Sequence, residues 1–291
     1  PIWESSESKY NFIKLFSNFI LSLKNIINFK ILLNNKKFFN YSLFIDGFKL
    51  YDLIFLLFLQ KKKNKVFLYL RSFYIENYKN KILILVLKFL FTQFKLKILT
   101  DSEIIGDKAA ILFEKNSVNI LPIPHTFKFD NKSVLNFRID NIKILCPGPF
   151  RKEKYGENFN LFLEKNKNYN FNIRINNKIN LNNYFGNLNM TYFSDSLSKL
   201  DYEKEMGMAD IILLPYDSKS YSNKTSGVFV ESIFLGKLIF VTDNTWMSNE
   251  LINFSLNELI VRKWRNFDLS DKLSKLNKKN FLINFRNMQI Y

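Results

Sequence analysis

Cysteine, histidine, alanine and glycine are all scarce in this chain, and the first two shortages close off classes of function. Cys146 is the only cysteine and His125 the only histidine among 291 residues. A single thiol excludes an intramolecular disulfide, and one Cys with one His leaves no zinc site of ordinary ligand composition, so a reducing, cytoplasmic setting is expected. Long apolar runs are missing too. Leu53 to Leu59 and Ile82 to Phe94, the latter interrupted by Lys88, are the longest, short of the roughly 20 residues that a membrane-spanning helix needs. The opening PIWESSESKY has neither a basic nor an apolar leader region, so no secretory signal is expected there. The chain begins with Pro1 rather than Met, from which a missing upstream piece is expected.

What is abundant is lysine and phenylalanine. Three alanines, 8 Gly and 6 Pro stand against 32 Phe and 36 Lys, with only 7 Arg, the bias that an AT-rich coding sequence produces whatever the function. Part of the formal net charge of +17 therefore carries no functional message. Its distribution does. Residues 9–97 hold 16 Lys and Arg71 against Asp46, Asp52 and Glu76, a net +14, whereas residues 141–291 hold 21 basic and 15 acidic groups. One strongly positive end fits an anionic partner such as a lipid surface, a phosphorylated acceptor or a nucleic acid. With 47% hydrophobic residues, the chain has ample material for a buried core.

Short apolar runs alternate with helix-like segments, the pattern of parallel α/β units. Strands are expected at Tyr41 to Asp46, Lys65 to Leu70, Lys95 to Thr100, Ile142 to Pro147, Phe171 to Ile175, Leu188 to Phe193, Asp210 to Pro215 and Lys237 to Thr242. Helices are expected near 48–60, 78–91, 156–164, 196–208, 226–235 and 245–252. The proline-containing, polar stretch after Leu121 reads as a linker. The expected organisation is two Rossmann-like, doubly wound α/β domains facing across a cleft, over residues 1–125 and 142–291, joined at 126–141. Such sheets bind ligands at the carboxyl ends of their strands.

The segment from Ala209 to Leu251 reads as strand, loop, helix and strand, with Ser226-Gly227 where the helix begins. Gly227 allows close backbone approach, and free N–H groups of Val228 and Phe229 at the positive end of the helix would suit a diphosphate. A plain N-cap and flexible turn is the competing structural explanation. Glu231, one turn further, would reach ribose hydroxyls. After the strand at Ile142 to Pro147, the sequence CPGPFRKEKYG places Gly148, Arg151 and Lys154 on one strand-to-helix loop, where two cations would neutralise a diphosphate. Lys152 reads as a solvated lysine. His125, in PIPHT, reads as a turn or surface residue rather than a general base. Tyr216, Tyr221 and Trp246 could stack on a base or sugar, with core packing the default.

Together these motifs resemble the nucleotide-sugar-binding domain of GT-B glycosyltransferases, specifically the retaining family 4-like group. Its G-x-x-R-x-x-K-x-G pattern is matched by Gly148, Arg151, Lys154 and Gly156, its strand ending in Pro-Tyr by Ala209 to Tyr216, and its S-G-x-x-x-E pattern by Ser226, Gly227 and Glu231, followed by Ser232 and Gly236. The resemblance implies a retaining hexosyltransferase that moves a sugar from a nucleoside-diphosphate donor to a glycan or lipid-linked acceptor in cell-surface polysaccharide or glycolipid synthesis, with no cofactor or metal. Arg151 and Lys154 would take the catalytic role of stabilising the departing diphosphate. Gly148, Asn223, Thr225, Ser226, Gly227, Val228 and Glu231 would bind the donor. Lys224 is either a third diphosphate contact or a surface lysine. Asn223 stands where many members have the first of two glutamates, and Arg71 is the candidate on the acceptor side. The implied location is cytoplasmic, peripheral at the inner membrane face. The alternatives are a catalytically inactive nucleotide- or carbohydrate-binding relative, and a basic nucleic-acid-binding protein for which no module is visible.

Overall fold

The computed structural model describes residues 43–46, 66–70, 88, 91, 97–113, 115–121, 142–148, 151, 154–155, 159–175, 190–194, 197–276 and 278–290. The chain divides into two units, Pro1–Pro122 and Ile123–Tyr291. The expected helices at 48–60 and 78–91 and the linker at 126–141 lie outside the described residues, apart from Lys88 and Phe91, which are helical.

In the first unit, strands β1 (Leu43–Asp46), β2 (Val66–Leu70), β3 (Lys97–Thr100) and β4 (Val118–Ile120) form a parallel sheet in sequential order. Leu68, Ile98 and Thr100 are fully buried in it. Helix α1 (Glu103–Leu112) connects β3 to β4 and starts at Ser102, whose hydroxyl accepts from the Ile105 N–H at 3.4 Å. Neither α1 nor β4 is among the elements expected from the sequence. A three-residue edge strand is too short to show a period, and α1 buries only Ile105, Gly106 and Ala109.

The second unit holds the larger sheet. Its strands are β5 (Lys143–Cys146), β6 (Asn170–Ile175), β7 (Met190–Ser194), β8 (Ile211–Leu214), β9 (Leu238–Thr242) and β10 (Ile260–Val261), paired in parallel in the order β10-β9-β8-β5-β6-β7. Counted within the unit and read from the β7 edge, this is 3-2-1-4-5-6, the doubly wound Rossmann arrangement. All four residues of β8 and the first four of β9 are buried, which is why both strands read as unbroken apolar runs. Helices α2 (Phe159–Lys165), α3 (Lys199–Met208), α4 (Ser218–Tyr221), α5 (Gly227–Phe234), α6 (Trp246–Asn253), α7 (Leu269–Lys275) and α8 (Lys278–Ile290) complete the unit among the described residues.

The strand order reverses between β5 and β8, and these two are locked at their starts. Lys143 N–H donates to the Asp210 carboxylate at 2.9 Å, and Asp210 N–H returns a 2.9 Å bond to the Lys143 carbonyl. Beside the sheet, Phe162 lies 5.3–5.8 Å from the rings of Phe159, Phe171, Trp264 and Phe267. Helix α8 packs Phe281 and Phe285 into the core, and Gln289 donates to the Ile233 carbonyl of α5 at 2.9 Å.

Asn166 ties the end of α2 to the start of α7. Its amide donates to the carbonyls of Phe162 and Phe267 at 2.8 and 3.0 Å and accepts from the Leu269 N–H at 2.9 Å. The residue is buried, so truncation leaves backbone groups without partners. Asn166→Ala is expected to lower stability by about 3 kcal/mol, read from urea unfolding followed by Trp fluorescence. A loss below about 0.5 kcal/mol would mean that water replaces the amide.

Candidate functional site

The chain leaves the carboxyl end of β5 through Pro147 and Gly148, both buried. The following loop turns back on itself, with the N–H groups of Lys154 and Tyr155 donating to the Arg151 carbonyl at 2.9 and 3.2 Å. The Tyr155 hydroxyl reaches the carbonyls of Cys146 and Gly148 at 3.2 and 3.1 Å and shares one proton between them. This clamp holds Lys154 against Gly148. A β-carbon at Gly148 would come within 3.0 Å of both Lys154 Cδ and the Tyr216 hydroxyl, and within 3.2 Å of Lys154 Nζ. Arg151 is exposed.

The carboxyl end of β8 supplies the opposite side. After Pro215 and Tyr216, Asp217 caps α4, accepting from Ser220 N–H at 2.8 Å and from its hydroxyl at 2.7 Å. The Ser220 hydroxyl holds the Asp217 carboxyl below the usual carboxylate range, against the opposing effect of burial. Tyr216 and Tyr221 pack on each other with centroids 4.5 Å apart, the packing role expected of them. A lysine lies over each ring: Lys154 Nζ is 5.3 Å from the Tyr216 centroid, and Lys224 Nζ 5.2 Å from that of Tyr221. The aromatic pair thus brings Lys154 and Lys224, 70 positions apart in sequence, to one site, each contact being worth about 0.5–1 kcal/mol where exposed.

Helix α5 begins beside this pair. Ser226 is its N-cap, accepting from the Phe229 N–H at 3.3 Å, while Val230 N–H donates to the Ser226 carbonyl at 3.2 Å. The expectation that the Phe229 N–H is free is therefore corrected: the serine hydroxyl takes it. Gly227 and Val228 carry the N–H groups left without partners among the described residues. A β-carbon at Gly227 would meet nothing within 4 Å, so this end of the helix opens onto free space. Thr225 and Ser226 are buried, Asn223 is half-buried and Lys224 exposed. Glu231 accepts from the Tyr202 hydroxyl at 2.7 Å. Tyr202, on α3, is a partner that no local pattern in the sequence reveals, because 29 positions separate the two.

The remaining matched residues have structural duties or lie elsewhere. Gly236 follows the last turn of α5 at φ 67°, the left-handed conformation that ends helices and favours glycine. Trp246 packs edge-on to Phe229 at 5.7 Å. Burial pushes the Cys146 thiol pKa upward, so it is a poor nucleophile. Arg71, His125, Lys152 and Gly156 lie outside the described residues. No group of three or more His, Cys, Asp or Glu side chains among the described residues could hold a metal ion. No described helix is long and apolar enough to cross a membrane.

No family model and no curated protein matches the sequence. Solved structures do match. HepE of Anabaena in complex with UDP superposes with a TM-score of 0.59 at 10% identity, covering 93% of this chain and 76% of that one. The apo structure of OtsA gives 0.59 at 13%, covering 92% and 73%. The apo form of the lipopolysaccharide outer core galactosyltransferase WaaB gives 0.53 at 11%, covering 94% and 81%. The likeness establishes the GT-B type of fold, with its two Rossmann-like α/β units.

A side chain at Gly148 would crowd Lys154 and the Tyr216 hydroxyl. Gly148→Ala is expected to cost about 1 kcal/mol, the scale of one strained neighbouring rotamer. Shortening the flexible neighbour in Gly148→Ala/Lys154→Ala should recover part of that loss. Thermal unfolding of the two variants and of Lys154→Ala closes the double-mutant cycle. Strict additivity would show that the two sites do not touch.

Proposed function

We propose that the chain is a retaining, family 4-like glycosyltransferase whose second unit binds the nucleoside diphosphate of a sugar donor. The observation that carries this reading is the convergence at the β5–β8 reversal: Gly148, Lys154 and Tyr216 meet at the carboxyl ends of adjacent parallel strands, and Ser226, the cap of α5, lies beside Tyr216, where doubly wound sheets bind nucleotides. The complexes of HepE with UDP and with UDP-glucose support a donor of this class.

In this reading the reaction breaks the bond between the anomeric carbon and the diphosphate, and negative charge grows on the departing oxygen. Arg151, Lys154 and the start of α5 stabilise that charge in place before the bond breaks, which is the main way such a site lowers a barrier. Ser226 orients the first turn of α5. Glu231, aligned by Tyr202, accepts from the ribose hydroxyls, and Asn223 hydrogen-bonds the sugar. Lys224, over the Tyr221 ring, adds positive charge.

The acceptor is a glycan or lipid-linked hydroxyl. Arg71 and the lysines of residues 9–97 suit a phosphorylated or membrane-borne acceptor at the cytoplasmic face, since juxtamembrane basic groups gain about 1 kcal/mol each near anionic lipid. Asn223, in the place of a family glutamate, favours one second reading: a relative that binds the nucleotide sugar without transferring it. Donor hydrolysis or transfer to any acceptor would eliminate it.

UDP, GDP and ADP, each at about 100 times its dissociation constant, should distinguish the binding reading. The nucleotide that fits is expected to raise the melting temperature by about 5 °C. Arg151→Ala and Lys154→Met should each weaken its affinity about 10- to 100-fold, the scale of a charge-assisted hydrogen bond. Failure of all three nucleotides, or unchanged affinity in both variants, would refute the assignment.

A further inference from the structure

The tyrosine at the end of β8 carries a hydroxyl that packing does not account for. Tyr216 is 2% exposed, and its hydroxyl is fully shielded with no hydrogen-bond partner. Buried polar atoms in this state are rare in native proteins, and each calls for an explanation. Phenylalanine would provide the same ring for Tyr221 to pack on and the same face for Lys154. The hydroxyl adds only a polar group that can donate or accept a hydrogen bond.

Its surroundings specify what that donor meets. The Tyr216 hydroxyl and Lys154 Nζ lie 3.0 and 3.2 Å from the position that a Gly148 β-carbon would take. Burial and then Tyr221 drive the Tyr216 pKa upward, and the nearby Ser226 hydroxyl opposes them without reaching hydrogen-bond geometry, so the phenol remains protonated. At Ser226 begins the eight-residue helix α5, with the N–H groups of Gly227 and Val228 unpartnered among the described residues. A phenol, an ammonium and two backbone N–H groups therefore gather here as donors, and the ammonium and helix dipole select for negative charge.

We propose that Tyr216 is a binding residue for the diphosphate, its hydroxyl donating to a non-bridging phosphate oxygen that lies against Gly148 beside Lys154. The inference rests on the reading of this site as a nucleoside-diphosphate site. Lys154 covers the Tyr216 ring, so binding draws the ammonium from the ring onto the phosphate and uncovers the hydroxyl. Only a long, flexible side chain has to move.

The test is Tyr216→Phe in the full chain, titrated calorimetrically with UDP, GDP and ADP and with the corresponding nucleosides, which lack phosphate. The variant is expected to bind the preferred diphosphate about 10-fold more weakly and its nucleoside with unchanged affinity. Because an unused hydroxyl contributes nothing to the free protein, its melting temperature should stay the same or rise. Equal diphosphate affinity in variant and wild type overturns this inference alone. A fall in melting temperature of more than about 2 °C, the scale of a lost structural hydrogen bond, or equal weakening of nucleoside and diphosphate, does so too. Wild-type protein that binds none of the three diphosphates overturns both this inference and the reading beneath it.

Discussion

The pairing of β5 with β8 is the constraint on which the site depends. Two parallel strands that are far apart in sequence lie side by side, and the elements that follow them diverge to opposite flanks of the sheet. The mutual bonds between Lys143 and Asp210 fix their starts, and the buried residues Ile144 to Cys146 and Ile211 to Leu214 fix their faces. Once the register is set, the chain leaving β5 and the chain leaving β8 meet at their carboxyl ends. Gly148 and Tyr216 touch there because the sheet allows them no other place.

Around that meeting point, ordinary structural interactions also prepare a binding surface. Tyr155 clamps the loop after β5, Asp217 caps the single turn after β8, and Ser226 caps α5. Each satisfies backbone or side-chain groups locally. The Ser226 cap uses the Phe229 N–H and leaves those of Gly227 and Val228. The Tyr216–Tyr221 pair gives two lysines a surface to rest on. Positive charge is thus held in place beforehand, the condition under which electrostatic stabilisation is most effective.

The central strands were legible because burial on both faces writes them as continuous apolar runs, and IILL in β8 and LIFV in β9 are the clearest. Helix α5 was legible from its cap and its apolar face. The edges were not. β10 has two residues and β4 three, too few to carry a period. Helix α8, KKNFLINFRNMQI, mixes polar and apolar residues so evenly that its tertiary contacts, among them Phe281 and Phe285, decide its place. At the site, Gly148, Arg151, Lys154, Ser226 and Glu231 stood out through local spacing. The partnership of Tyr202 with Glu231 and the unsatisfied hydroxyl of Tyr216 arise from packing between distant segments, which no window of sequence contains.

The basic character of the chain divides in the same way. Lys154 and Lys224 have places in the geometry of one site, whereas the lysines of residues 9–97 are a property of composition and position in the sequence. The proposed diphosphate has one expected location. A crystal structure with the bound nucleoside diphosphate measures it directly: the phosphates should lie between Gly148 and the first turn of α5, within hydrogen-bonding distance of the Gly227 or Val228 N–H and of Lys154 Nζ. Phosphates bound elsewhere on the second unit, with Lys154 still resting on Tyr216, would contradict it.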